Sequence, residues 1–234
     1  MLLSDNGAAA EAGLSGFFRR AYSGTATFEE MRDHLDERGG STTQPLYQRP
    51  WAMSNVTPFT RYKAWPYAGG SRTPLIVSWS ALTPDPGAIR TDYVDVIGLA
   101  PTLAEAAHGH IAEAIDGQAQ INATGRSILA GISNPAIPVG RPVQFFELNG
   151  NRAIREGSWK AVAIHKRGTS FEDDEWHLFD LSADFAEAHD LAASRPEVLA
   201  RLKATWAREA RANGIQALTE RSWASGGQSR PSRR

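Results

Sequence analysis

Asn149-Gly150 sits between two short apolar runs, residues 143–147 and 152–155, and no other dipeptide here constrains the fold as tightly. Both residues accept the left-handed backbone that a two-residue hairpin needs, so the flanking runs are predicted to pair as antiparallel strands. Gly157-Ser158 then leads into a third strand over 159–165. A fourth follows over 176–181, after the acidic loop Glu172-Asp173-Asp174-Glu175. Ser194 and Glu197 have capping-box spacing with Pro196 between them. Leu199, Leu202, Trp206 and Ala210 form one apolar stripe beyond, and Asn213-Gly214 is a stop signal. Residues 141–221 therefore read as a small α+β unit, a four-stranded antiparallel sheet with a C-terminal helix.

The preceding stretch has a different rhythm. The run Leu75-Ile76-Val77-Ser78-Trp79 suits a strand buried on both faces of a parallel sheet. Met31 and Leu35 stand at i, i+4 in a charged segment over 28–38, which predicts a short helix stopped by Gly39-Gly40. Residues 94–107 read as a second helix, with Pro101 as a kink or as its first turn. Residues 41–73 are rich in Gly, Pro, Ser and Thr, and so long a loop in a domain is usually functional. Residues 1–140 thus read as α/β, and residues 222–234 as a disordered tail.

The chain has 234 residues, no cysteine and a formal net charge of -1. The missing cysteine excludes disulfides, thiolate catalysis and Cys-ligated metal. The near-neutral balance gives no global field for nucleic acid, and no apolar stretch approaches the roughly 20 residues of a membrane span.

Two motifs carry chemistry. Asp5-Asn6-Gly7 closes the apolar start Met1-Leu2-Leu3 and offers a carboxylate and an amide carbonyl, the hard oxygen donors that calcium and magnesium take. The two side chains can face one ion only where the chain turns, which Gly7 permits. Lys63 is the only lysine before Lys160 and precedes the turn Gly69-Gly70. Tyr62, Trp65, Tyr67 and Trp51 lie around it in sequence and could wall an apolar part of a substrate or anchor packing. Arg72, just after Gly-Gly, is expected to serve structure or a buried ion pair. His108-Gly109-His110 and the acidic loop 172–175 could hold metal, but each reads better as solvated. The Arg-rich tail reads as disorder rather than a nucleic-acid contact.

Together, five segments resemble the sulfatase family, in particular bacterial-type arylsulfatases. They are Ser4-Asp5-Asn6-Gly7; Tyr62-Lys63 through Gly69-Gly70-Ser71-Arg72-Thr73-Pro74-Leu75-Ile76-Val77; and Val94-Asp95-Val96-Ile97 with Pro101-Thr102-Leu103 and Glu105. The other two are Gly150-Asn151-Arg152-Ala153-Ile154-Arg155 with Trp159-Lys160, and Trp176-His177-Leu178-Phe179-Asp180-Leu181 with Glu187 and Asp190-Leu191-Ala192. The resemblance implies a partial alkaline-phosphatase-like sulfatase domain over 1–140, followed by the antiparallel subdomain. It implies that Asp5 and Asn6 are ligands of a divalent cation, usually calcium, and that Lys63 contacts the sulfate of a sulfate ester.

The family nucleophile is a formylglycine made from Cys or Ser in a C/S-x-P-x-R signature near the N-terminus. Only Ser229-Arg230-Pro231-Ser232-Arg233 fits that string here, and in the tail it reads as coincidence. The chain is therefore expected to represent the C-terminal portion of such an enzyme and to be inactive alone. It would bind a sulfate ester productively only when completed by an N-terminal half, and the exposed truncated sheet would favour aggregation or a partner. The alternatives are a non-catalytic accessory protein derived from a sulfatase, or a phosphate or phosphonate ester hydrolase of the same superfamily.

Overall fold

A computed structural model of the chain describes residues 1–4, 7–10, 13, 14, 16, 27–43, 46, 48–121 and 123–215. The expected metal ligands Asp5 and Asn6, the 222–234 tail and the string at Ser229 lie outside the described residues. Two compact units divide the chain. One comprises Met1–Leu2 and Leu75–Pro142, and the other Leu3–Pro74 and Val143–Arg234.

The second unit is built on the sheet that Asn149-Gly150 announces. Its strands are Val143–Leu148, Asn151–Glu156, Trp159–Ala163 and Trp176–Asp180, paired antiparallel in sequence order. Asn149 and Gly150 have φ of 54° and 81°, as a primed hairpin turn requires. The register, with Leu148 opposite Asn151 and Ile154 opposite Ala161, decides which side chains share a face.

On one face Ile154, Ala161, Ala163, Trp176 and Leu178 pack against Leu202 of the Pro196–Ala212 helix, with Trp206 beside them. Trp206 Nε1 donates to the Phe146 carbonyl at 3.0 Å, which fixes the helix on the sheet. The opposite face carries Ala153, Val162 and Phe179, and Tyr67 covers them. The sequence predicts one covering helix; the second cover comes from the long loop, which supplies a residue far away in the chain.

Three local expectations differ from the outcome. Ser194 does not cap the helix: its Oγ donates to the Leu191 carbonyl and Arg195 occupies the N-cap without a side-chain hydrogen bond. The 28–38 helix is a six-residue turn of helix, Phe28–Asp33, capped by Thr27, then a separate 3-10 turn at Leu35–Glu37. Asp174 of the acidic loop is turned inward, where its carboxylate meets Arg152 Nη2 at 2.6 Å and His165 Nδ1 at 3.0 Å. A buried arginine that also donates to the Phe171 carbonyl needs this counter-charge, so the loop is tied down rather than solvated at that point.

In the first unit the continuous strand expected over 75–79 is only Leu75–Ile76, and Ile76 and Trp79 are exposed. An apolar run becomes a doubly buried strand only when neighbours cover both faces, and among the described residues the ladder is two residues long. Pro101 falls in the first turn of the Leu99–Ala106 helix, following a 3-10 turn at Val96–Gly98. Thr102 is fully buried there; it donates to the Gly98 carbonyl at 2.6 Å and accepts from Ile128 N–H at 3.0 Å, which joins three segments.

Candidate functional site

The two chemistry-bearing motifs meet in the second unit through backbone. Lys63 N–H donates to the Ala8 carbonyl at 3.1 Å, so the lysine turn is tied to the residue that follows Asn6-Gly7. Gly7 has φ of 76°, and a Cβ there would overlap the Gly69 carbonyl oxygen. A Cβ on Gly69 would strike the Thr60 and Arg61 carbonyls, and one on Gly70 those of Tyr62 and Trp65. Three glycines thus let three backbone segments stack closer than any side chain allows. That is the physical content of Asp-Asn-Gly and Gly-Gly in this chain: both motifs remove Cβ atoms from one crossing point.

Lys63 is half-buried and stands between two residues in an unusual conformation. Arg61 has φ of 66° and Ala64 of 73°, neither being glycine. Each such residue costs about 1–2 kcal/mol and persists where the surroundings over-determine it, most often at functional sites. The Arg61 guanidinium lies 4.6 Å over the Trp65 ring, and Trp65 meets Tyr62 edge to face with centroids 6.3 Å apart. Of the aromatic residues expected around Lys63, Tyr62 and Trp65 shape its turn. Tyr67 is a core anchor against Phe179, and Trp51 is largely exposed.

Sequence reasoning missed what holds the turn from behind. Lys160 points to the sheet face covered by Tyr67, and its ammonium lies 2.6 Å from Glu187 Oε1. Glu187 Oε2 accepts Ala68 N–H at 2.8 Å, and Lys160 also donates to Ser71 Oγ at 3.3 Å. Both residues are 4–5% exposed. Burial pulls the Lys160 ammonium below the ordinary lysine range, against the Glu187 carboxylate and its hydrogen bond, which raise it. Of the two roles expected for Arg72, structure or a buried ion pair, the described residues give it the first, and the buried pair lies at Lys160. Arg72 is exposed, and its guanidinium lies over the rings of Phe59 and Phe185 at 5.4 and 4.6 Å. The alternation of a strand puts Lys160 and Val162 on one face, so that signal was present, but nothing in the sequence says that the Ala68–Ser71 turn lies against it.

No group of three His, Asp or Glu side chains able to hold a metal forms among the described residues, so His108 and His110 build no such centre there. Nor is any helix among them long and apolar enough to cross a membrane.

A lysine-bearing Gly-Gly turn that crosses the chain closely at Gly7 and Ala8, beside an antiparallel sheet with a C-terminal helix, is the arrangement that the comparisons identify. No family model matches the chain. It is 30% identical over 175 residues, 74% of its own length and 31% of the relative's, to an uncharacterized sulfatase of Schizosaccharomyces pombe. Ps i-CgsB aligns with 70% of the chain and 34% of its own at 21% identity and a TM-score of 0.52. The same figures hold for its complex with k-i-k-neocarrahexaose. At that identity the likeness concerns the fold. The chain belongs to the sulfatase family and corresponds to its C-terminal part. It spans about a third of the length of these relatives.

Proposed function

We propose that the chain supplies part of the active site of a sulfuric ester hydrolase, within an alkaline-phosphatase-like α/β domain. Lys63 would contact the sulfate, and Asp5 and Asn6 would ligate a divalent cation, with calcium first among candidates. The supporting observation is the Lys63 N–H to Ala8 carbonyl bond, which holds the lysine turn against the chain leaving Asp5-Asn6-Gly7. The strained residues on either side of Lys63 add to it.

The residue types fit a hard cation, since carboxylate and amide oxygens are what calcium takes, but two donors fall short of its usual six to eight. These residues would therefore bind it weakly by themselves. When bound, a divalent cation would stabilise negative charge on a tetrahedral oxyanion. Lys63 would set a fixed ammonium against charge that builds on sulfate oxygens as the S–O bond breaks. Its backbone is fixed beforehand by Ala8 and the glycine crossing, so little reorganisation accompanies that role.

No cysteine is present to become formylglycine, and the one serine string that fits the signature, at Ser229, reads as coincidence, so turnover by these 234 residues alone is expected to be absent. The test is a calorimetric titration of the purified chain with sodium sulfate in millimolar calcium. Binding should weaken about tenfold in Lys63→Ala and lose its calcium dependence in Asp5→Ala/Asn6→Ala. Unchanged sulfate binding in Lys63→Ala overturns the reading. Tighter binding of inorganic phosphate than of sulfate shifts it to phosphate esters. Hydrolysis of 4-methylumbelliferyl sulfate by the chain would refute the expected inactivity.

A further inference from the structure

The turn that carries Glu187 touches the Lys63 loop at both ends. That loop closes on itself where Gly69 N–H donates to the Thr60 carbonyl at 3.1 Å. Glu187 Oε2 takes the neighbouring peptide, Ala68 N–H, at 2.8 Å. In the same turn the Phe185 ring meets Phe59 edge to face, with centroids 4.9 Å apart, and the Arg72 guanidinium lies 4.6 Å from the Phe185 ring. Phe59 adjoins the closing carbonyl at Thr60, and Arg72 lies just beyond Gly69-Gly70-Ser71. Residues 184–189 therefore grip the loop at its entry, its closure and its exit.

The gripping turn is itself braced. Asp184 N–H donates to the Asp180 carbonyl at 2.8 Å, His189 N–H to Asp184 Oδ2 at 2.7 Å, and Glu187 N–H to the Asp184 carbonyl at 3.3 Å. Beyond it, Leu191 N–H donates to the Leu178 carbonyl and Asp190 Oδ1 accepts Leu178 N–H, both at 2.8 Å, so the segment is stitched to the edge strand. Glu187 has φ of 59°, a left-handed conformation that a residue with a Cβ keeps only where its surroundings over-determine it. Its side chain is almost sealed from solvent, and both oxygens are used, one by Lys160 and one by Ala68. A carboxylate holds a backbone N–H more firmly than a neutral acceptor does, because charge-assisted hydrogen bonds are shorter and stronger.

We infer that Glu187 is a positioning residue for Lys63. By holding Ala68 N–H it sets the closure of the 60–69 loop, and with it the place where the Lys63 ammonium meets a sulfate oxygen. Glu187 touches no sulfate itself. It acts on affinity by removing loop arrangements in which Lys63 is out of reach. This rests on the assignment of Lys63 to the sulfate.

The experiment titrates the ¹⁵N-labelled full chain with sodium sulfate in millimolar calcium, and the Ile154 amide reports whether each variant is folded. Glu187→Ala should weaken sulfate about tenfold, and Glu187→Gln, which keeps one acceptor oxygen for Ala68 N–H, about threefold. Both should shift the Lys63 and Gly69 amide resonances. Leu202→Ala opens a cavity on the opposite face of the sheet and lowers stability, yet should leave sulfate affinity and the Lys63 amide unchanged. If Glu187 served stability alone, its folded variants would behave as Leu202→Ala does. Unchanged sulfate affinity in folded Glu187→Gln, where Lys63→Ala weakens it, overturns the inference, as does a loss in Leu202→Ala equal to that in Glu187→Gln. If Glu187→Ala does not fold, Glu187→Gln decides alone. Failure of the Lys63 assignment has a separate signature, sulfate binding that Lys63→Ala leaves unchanged, and it removes this inference with it. Absence of sulfate binding to the unsubstituted chain rejects both.

Discussion

Lys160 Nζ and Glu187 Oε1 lie 2.6 Å apart beneath the turn that follows Lys63, with both residues almost sealed from solvent. The pair serves an earlier part of the chain: Glu187 also takes Ala68 N–H, and Lys160 also reaches Ser71 Oγ. A charge pair in the sheet region thus fixes a loop some ninety residues upstream. Removing one member of a buried pair leaves the other charged and unmatched, which typically costs about 3–5 kcal/mol. Lys160→Met should lower stability by that order in denaturant melts and speed hydrogen exchange at the Ala68 amide. The Lys160→Met/Glu187→Met double variant should cost less than the sum of the two singles. Additivity would show that the two side chains act independently.

Ala64 has the opposite expectation from most core-side substitutions. At φ of 73° its Cβ is strained, and glycine there relieves about 1–2 kcal/mol while adding roughly 0.5–1 kcal/mol of unfolded-chain entropy. Ala64→Gly should be neutral to slightly stabilising. A clear drop in melting temperature would mean that the left-handed conformation at residue 64 is not under strain.

Gly7→Ala should be destabilising by more than the approximately 1–2 kcal/mol of its left-handed conformation, because the new Cβ overlaps the Gly69 carbonyl. The change should also shift the amide resonances of Ala8 and Lys63, while those of the distant Pro196–Ala212 helix stay in place. An unperturbed Lys63 amide would argue that the two motifs are not coupled through that crossing.

Asp190 makes the stability pH-dependent at the acid end. Burial raises its carboxyl pKa, but N–H donation from Leu178 and Ala192 and the His177 ring outweigh this and hold it below the usual carboxylate range. The folded value lies below the unfolded one of about 3.9, so the unfolded chain takes up the proton first. The stabilisation is therefore complete above about pH 4–5 and drains away as the pH falls through the folded value. Asp190→Asn should be less stable than the parent at neutral pH, and the gap should narrow on acidification. A gap that widens towards acid would give the shift the wrong sign.

Much of the C-terminal sheet was legible because its information is local. Asn149-Gly150 sets the hairpin, period-two alternation sets the faces, and the Leu199, Leu202, Trp206 stripe orients the helix. Ser194 misled because capping spacing is necessary but not sufficient; the Leu191 carbonyl competes for the hydroxyl. The run at residues 75–79 misled because apolar character states a need for cover and not whether cover is supplied. At the site, Lys63 and the glycines could be singled out from sequence, as could the family they resemble. The Lys160–Glu187 pair could not, since a lysine in a strand and a glutamate in a loop carry no mark of each other.

The sequence by itself determined the local elements and the atoms available: hairpin, helix stripe, one lysine and the turns that carry it. Those follow from backbone preferences and periodicities that act over a few residues. Only the tertiary structure decided that Gly7, Gly69 and Gly70 would share one crossing, that Tyr67 would cover the second sheet face, and that Arg72 would lie over the rings of Phe59 and Phe185. Each depends on close approach between segments distant in the chain, where the absence of a Cβ or the burial of a charge has consequences that no local pattern records.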